Sequence, residues 1–201
     1  ASSGIGLETA KRLKSQGFNV YSASRTESDQ LNQLGVQHQS LDVTSEEIEL
    51  ELPEELHGLV YCPGTINLKP FRSLKRSDLL HDFEVNAIGA WKVIKAAYKS
   101  LRKAESASVV LFSTVAVQTG MPFHTSIAMA KGAVEGLSRS LAAELAPRVR
   151  VNTIAPSLTD TPLAANLLAN EDKKEASKKR HPLNKYGSPA DLAAAASYLI
   201  S

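Results

Sequence analysis

Short apolar segments alternate with longer helical segments along almost the whole chain, and this alternation restricts the folds that the sequence can adopt. The predicted strands cover residues 18–23, 36–41, 56–62, 107–113 and 149–154. Predicted helices follow the glycines near the start and cover residues 27–34, 76–103, 126–146 and 191–201. Strands separated by helices form parallel sheets with helices on both faces. The sequence therefore predicts an α/β fold with a doubly wound parallel sheet in three layers, α/β/α.

The composition is that of an ordinary globular domain. Of the 201 residues, 43% are hydrophobic and 22% are charged, and the net charge is only +2, which argues against nucleic acid or a membrane surface as partner. No apolar run approaches the roughly 20 residues that span a bilayer. Cys62 has no disulfide partner, and Cys and His are nowhere spaced as metal ligands. We expect one domain over residues 1–201, a cytoplasmic location, a small-molecule partner and no metal.

Both ends of the sequence predict a partial domain. The chain starts at Ala1 without a Met or a strand before its glycines, although a phosphate-binding glycine turn follows a strand in α/β folds. The helix at residues 191–201 stops without a cap or a following strand. We therefore expect the first and last strands of the sheet to lie outside this sequence.

Three short segments have the residues expected around a dinucleotide. Gly4 and Gly6 allow backbone N–H groups to approach a pyrophosphate without interference from a Cβ. Ser24 ends the strand at which an acidic residue commonly binds ribose hydroxyls, and the neighbouring Arg25 favours the 2′-phosphate of NADP(H) over NAD(H). The alternative for Arg25 is a surface arginine on a loop. Asp42 could accept from an adenine amino group or cap a helix starting near Ser45.

These segments and several later ones resemble the short-chain dehydrogenase/reductase family over nearly all of the chain. The start resembles the family's TGxxxGIG motif, Gly64 its NNAG motif, residues 151–157 its VNxIxPG motif and residues 185–191 its RxGxPxD motif. The resemblance implies a Rossmann-type NAD(P)-binding domain. It places the cofactor against Ser3, Gly4, Ile5, Gly6, Ser24, Arg25, Asp42, Val43, Gly64, Asn86, Lys131, Pro156, Ser157 and Thr161.

The resemblance fails at the residue with the most direct chemical role. Asn86, Thr114 and Lys131 match the Asn, Ser and Lys of the family's Asn-Ser-Tyr-Lys tetrad, but Ile127 stands at the place of the Tyr. In the family, that Tyr exchanges a proton with the substrate, and the Lys one helical turn later lowers the Tyr pKa and holds the nicotinamide ribose. Because isoleucine has no proton to give, loss of the Tyr removes a contribution of about 10² to 10⁴ in rate.

Three kinds of side chain could replace the missing proton donor. His124 lies one helical turn before Ile127 and belongs to the residue type that titrates near neutrality, although a polar surface role is the alternative. The hydroxyls of Ser113 and Thr114 could polarise a carbonyl. Tyr61 ends a strand near the expected cofactor cleft, where packing is its alternative role. The predicted catalytic set is therefore Asn86, Thr114, Lys131 and His124.

Three functions are compatible with the sequence. The first is an NADP(H)-dependent oxidoreductase that interconverts a carbonyl and an alcohol with an altered acid–base residue. The second is a nucleotide-binding sensor or structural subunit that does not turn over, and the third is a reduction that needs no strong protein acid. The resemblance also implies a homodimer or homotetramer, formed through the long helices. The basic run at residues 173–180 is interpreted as a solvated face rather than a site for an acidic substrate.

Overall fold

Parallel strands form the centre of the structure, a computed structural model that describes residues 1–201. The strands are β1 (Tyr21–Ser24), β2 (Gln37–Ser40), β3 (Gly58–Tyr61), β4 (Ala107–Phe112) and β5 (Val149–Ile154). Strand β1 pairs with β2, and β4 pairs with β3 on one side and β5 on the other, all in parallel. The predicted α/β fold with parallel sheets is confirmed.

Helices connect the strands and cover both of their faces. They are α1 (Gly4–Ser15), α2 (Asp29–Gln33), α3 (Arg76–Phe83), α4 (Gly89–Lys103), α5 (Ala116–Thr119), α6 (Thr125–Leu145), α7 (Glu171–Lys179) and α8 (Pro189–Ile200). Two 3₁₀ turns cover Phe71–Ser73 and Pro162–Leu167, and a π-helical turn covers Glu84–Ile88. None of the helices is long and apolar enough to cross a membrane.

Strand β4 divides the core into two layers because successive side chains of a strand point to opposite faces. Val109 and Leu111 belong to a large apolar cluster with residues of α4 and α6, including Val93. Val110 and Phe112 pack on the other face in a second cluster with residues of α8. All six residues of β4 are buried, as expected for a parallel strand that is covered by helices on both faces.

The predicted helix over residues 76–103 is interrupted. It divides into α3 and α4 at the π-helical turn of Glu84–Ile88, where the extra residue per turn changes which side chains face inward. Asn86 lies in this turn and is fully buried. At Gly89 a Cβ would lie 2.5 Å from Tyr61 Oη and 3.0 Å from Val43 Cβ, so only glycine fits where α4 begins.

Some predicted boundaries are also wrong. Strand β1 begins at Tyr21, not at residue 18. No helix forms near Ser45, because the Asp42 carboxylate instead accepts from the backbone N–H of Thr44 at 2.9 Å and from its hydroxyl at 2.7 Å, a local turn that competes with helix. The following stretch runs along the core, against which Ile48 packs.

Candidate functional site

The glycine turn lies at the N-terminus of α1, beside the end of β1. Ser3 is the N-cap residue in an extended conformation, and Gly4 follows with a positive φ of 55°. The main-chain nitrogen of Ala1 lies 3.1 Å from Ala23 O, which places the turn against the end of β1. A Cβ at Gly4 would lie 3.5 Å from two side-chain atoms of Thr161. The structure therefore brings Thr161 to the glycine turn, where the first N–H groups of α1 have no partner within the helix.

A second set of polar residues, Ser24, Arg25 and Asp42, lies at the carboxyl ends of β1 and β2. Ser24 Oγ donates to Thr26 O at 2.9 Å, so this hydroxyl is already engaged within its own turn. The Arg25 side chain is exposed. Hydrogen bonds from Thr44 lower the pKa of Asp42 below its ordinary value, and the nearby Arg25 charge lowers this pKa further. Arg25 and Asp42 thus lie on one side of the site, while Val43 packs its side chain into the core.

Gly64 provides a space that two predicted site residues share. A Cβ at Gly64 would lie 3.3 Å from Asn86 Oδ1 and 3.5 Å from Lys131 Nζ. Asn86 Nδ2 donates to Thr65 Oγ1 and to Asp82 O, both at 2.8 Å. Asn86 Oδ1 is buried and has no hydrogen-bond partner. A buried oxygen without a donor is costly, and here it faces the space above Gly64.

Lys131 is a buried cation on the inner face of α6. Only 8% of the residue is exposed, and Nζ donates to Phe112 O at 2.8 Å. Burial lowers the pKa of Lys131 from 10.5 to about 8, and the nearby Cys62 and Asp82 act in the opposite direction. Burial likewise raises the pKa of the Cys62 thiol to about 11. The site therefore holds an ammonium that is poorly solvated.

The ends of β4 and β5 meet at the same edge, as parallel strands require. Ser113 N donates to Ile154 O at 2.8 Å, and Val115 N donates to Pro156 O at 3.1 Å. The half-buried Thr114 therefore lies opposite the segment that contains Pro156 and Ser157. Its Oγ1 accepts only a long bond of 3.3 Å, from Ala116 N. Ser113 is different, because its buried hydroxyl donates to Glu135 Oε1 at 2.7 Å.

The other two possible substitutes for the missing phenol, His124 and Tyr61, occupy different environments. Ile127 is 5% exposed, so a buried apolar side chain stands on α6 where the family has its Tyr. His124 is the N-cap residue of α6 without a capping bond, and its Nδ1 lies 2.7 Å from Pro122 O. The Tyr61 hydroxyl donates to Val85 O at 2.6 Å, and burial raises its pKa. This geometry favours the packing role of Tyr61 and leaves His124 Nε2 available.

Known proteins are similar to this chain over its full length. Residues 1–201 match the family model described as enoyl-(acyl carrier protein) reductase. Carbonyl reductase family member 4 of Danio rerio is 30% identical over 213 residues, which cover 99% of this chain and 87% of that protein. The chain belongs to the short-chain dehydrogenase/reductase family. A structure of ElxO with NADP bound superimposes with a TM-score of 0.86 at 22% identity and covers 100% of this chain and 88% of the other.

One further relative of this chain is named as an inactive protein. The inactive 2-(S)-hydroxypropyl-CoM dehydrogenase 2 of Xanthobacter autotrophicus is 33% identical over 122 residues. The match covers 58% of this chain and 53% of that protein. Similarity to this short-chain dehydrogenase/reductase chain therefore extends to a protein that is named as inactive.

Sequence reasoning missed one buried cluster beside the family's tetrad positions. Asp82 is fully buried, and its two oxygens accept from Thr65 Oγ1 at 2.6 Å and from Ser126 Oγ at 2.5 Å. The spacing of Asp82 and Asn86, four residues apart, predicts one helix face and could have indicated that Asp82 points inward. The contributions of Thr65 and Ser126 come from other parts of the chain, so no local pattern could have indicated them.

Proposed function

We propose that this chain is an NADP(H)-dependent oxidoreductase that interconverts a carbonyl and an alcohol with an altered acid–base residue. The space above Gly64 carries the proposal, because an unpartnered amide oxygen of Asn86 and the Lys131 ammonium both face it. An oxygen acceptor beside an ammonium donor suits a ligand with hydroxyl groups, such as a ribose. Any side chain at position 64 would fill this space.

The remaining predicted contacts fit the other parts of the dinucleotide. The N–H groups at the start of α1 suit the pyrophosphate, and Thr161 lies beside them. Exposed Arg25 suits a 2′-phosphate, which a guanidinium binds in a forked geometry. The presence of Arg25 at this position supports NADP(H) over NAD(H) as the cofactor. When bound, the nicotinamide supplies or accepts the hydride.

The proton must then come from a group other than residue 127. Thr114 lies at the edge where β4 ends, and its weakly engaged hydroxyl can donate to a carbonyl oxygen and polarise it. We assign proton exchange to His124. Its Nδ1 is held by Pro122 O at 2.7 Å, which favours the tautomer with the proton on Nδ1 and leaves Nε2 to take up or release a proton. Lys131 orients the bound ligand and contributes positive charge.

A nucleotide-binding sensor that does not turn over is the second candidate. The buried Ile127 favours it, because this side chain fills the place of the proton donor with an apolar group. The relative that is named as inactive supports it as well, since the family includes chains described in that way. Both candidates require nucleotide binding and differ only in catalysis.

Titration of the protein with NADPH and NADH, followed by fluorescence, tests the shared requirement. We expect NADPH to bind about tenfold or more tightly than NADH, since a charge-assisted pair with Arg25 is lost with NADH. A panel of carbonyl compounds, followed by the absorbance of the reduced cofactor, then separates the candidates. Turnover supports the oxidoreductase, and binding without turnover supports the sensor. Failure to bind either cofactor contradicts both.

Restoring the phenol is the sharper test of catalysis. Ile127→Tyr should raise the rate of carbonyl reduction by about 10² to 10⁴ if Lys131 and Thr114 are arranged for the family mechanism. Ile127→Phe is the matched control, because it adds the ring without the hydroxyl. Equal rates for the two variants would show that the pocket does not support proton transfer at this position.

We also propose self-association through the outer faces of α4 and α6. Ile88, Trp91 and Leu137 line a shallow apolar depression of about 200 Å³ there, and Trp91 is 46% exposed. Burial of exposed aromatic surface favours association. Sedimentation of the protein and of Trp91→Glu tests this proposal, and a monomeric wild-type protein would contradict it. The cytoplasmic location stays a prediction from composition.

A further inference from the structure

Asp82 is a buried acidic residue that the proposed reaction does not use. No part of it is exposed, and both of its carboxyl oxygens accept from hydroxyls, Thr65 Oγ1 at 2.6 Å and Ser126 Oγ at 2.5 Å. Distances in this range are typical of hydroxyl donors to an ionised carboxylate. Burying a lone charge is unfavourable, so a buried Asp82 carboxylate requires hydrogen bonds and an opposite charge nearby.

The hydrogen bonds that Asp82 accepts determine which atoms donate and which accept in the neighbouring bonds of Thr65 and Asn86. An ionised carboxylate only accepts, so Thr65 must donate its single proton to Asp82. The Thr65 oxygen is then free to accept, and it accepts from Asn86 Nδ2 at 2.8 Å. Asn86 Nδ2 gives its second hydrogen to Asp82 O, also at 2.8 Å. With both amide hydrogens placed, Asn86 can present only Oδ1 to the space above Gly64.

We infer that Asp82 is a positioning residue, whose buried carboxylate acts through Thr65 to turn the Asn86 amide oxygen toward the space that Lys131 shares. This inference rests on the proposed function, since that space is the proposed ribose site. Without the Asp82 carboxylate, Thr65 is free to donate to Asn86, and only the main-chain oxygen of residue 82 still holds the amide in its present orientation. In the reversed orientation, the space would be lined by N–H donors from both Asn86 and Lys131 and by no acceptor.

Asp82 also supplies negative charge to the surroundings of Lys131. The titratable groups that act on Lys131 are Cys62, at the end of β3, and Asp82, on α3. Cys62 remains a neutral thiol at neutral pH because burial raises its pKa to about 11. Asp82 is therefore the negative charge that favours the ammonium form of Lys131 in this pH range.

Titration of Lys131 in the cofactor-free protein tests the inference without any ligand. The signal of ¹³Cε-labelled lysine, assigned with Lys131→Met, should titrate at lower pH in Asp82→Asn than in the wild type. Asp78→Asn is the matched control, because Asp78 lies one turn earlier on α3 and pairs with Lys69 at 2.6 Å instead. Thr65→Val should also lower the midpoint through loss of the amide orientation, and Thr65→Ser should restore it.

NADPH affinity provides the second measurement. Asp82→Asn and Thr65→Val should each weaken NADPH binding by about tenfold, Thr65→Ser should recover most of this loss, and Asp78→Asn should bind within about twofold of the wild type. An unchanged Lys131 midpoint in Asp82→Asn, or equal affinity of Thr65→Val and Thr65→Ser, would overturn the inference. If the wild type binds no NADPH, the proposed function fails, and the Lys131 midpoints of the variants still decide the role of Asp82.

Discussion

Replacement of Lys131 by methionine should stabilise the cofactor-free protein at pH 7, although it removes a site residue. Burial lowers the pKa of Lys131 from 10.5 to about 8, and each pKa unit corresponds to about 1.4 kcal/mol. The ammonium form therefore costs the folded state roughly 3 kcal/mol at neutral pH. Methionine has a similar stem and no charge, but it leaves Phe112 O without its donor at 2.8 Å, a loss of about 1 kcal/mol.

The net expectation for Lys131→Met at pH 7 is a gain of about 2 kcal/mol in the free energy of unfolding, or a Tm higher by about 4–8 °C for a chain of this size. The gain depends on pH in a defined direction. Below pH 8 the lysine is charged in both the folded and the unfolded state, and the full cost is present. Between pH 8 and 10.5 the folded state loses its proton first, so wild-type stability rises relative to the variant.

Urea unfolding of both proteins at pH 7 and at pH 9.5 measures this difference, which should fall close to zero at the higher pH. Lys92→Met is the matched control, because the Lys92 side chain is only 10% exposed but pairs with Glu84 at 2.7 Å. Loss of that partner should destabilise the protein at pH 7. If Lys131→Met proves less stable than the wild type at pH 7, or if its advantage does not change with pH, the assigned cost of the buried charge is wrong.

Four further substitutions, one of them a control, probe the packing and the proposed cofactor site. Gly89→Ala should lower Tm by about 2–12 °C, because its Cβ would lie 2.5 Å from Tyr61 Oη, and overpacking costs about 1–3 kcal/mol. Gly136→Ala is the control, with nothing within 4 Å of its Cβ, and should raise stability by about 0.5–1 kcal/mol. Equal melting temperatures of these two variants would contradict the expected clash at Gly89. Gly64→Ala should fold normally in thermal melts but lose at least about tenfold in NADPH affinity, because it fills the shared space. Arg25→Ala should reduce NADPH affinity by about tenfold and leave NADH affinity unchanged in fluorescence titration; an equal loss for both cofactors would exclude a 2′-phosphate contact.

The sequence was sufficient for the features that depend on local pattern. Alternating strands and helices predicted the parallel α/β fold, and the glycine spacing predicted the turn at the start of α1. Contacts between distant segments were not accessible in the same way. The π-helical turn at Glu84–Ile88 divides α3 from α4, although the helical sequence pattern of residues 76–103 continues through it without a signal. The helix expected near Ser45 fails because Asp42 binds Thr44 within a turn.

The cost of burying the Lys131 charge bears on what this lysine can do when Ile127 stands in place of a phenol. A saturating ligand stabilises the folded state by an amount that grows with its concentration over Kd, about 4 kcal/mol at a thousandfold excess. Bound nucleotide can therefore offset the roughly 3 kcal/mol cost of the buried Lys131 charge. The buried Ile127 has no titratable group whose pKa the Lys131 charge could lower. Under the proposed function, Lys131 therefore serves ligand binding directly, and turnover requires a proton donor outside the inner face of α6, the role that we propose for His124.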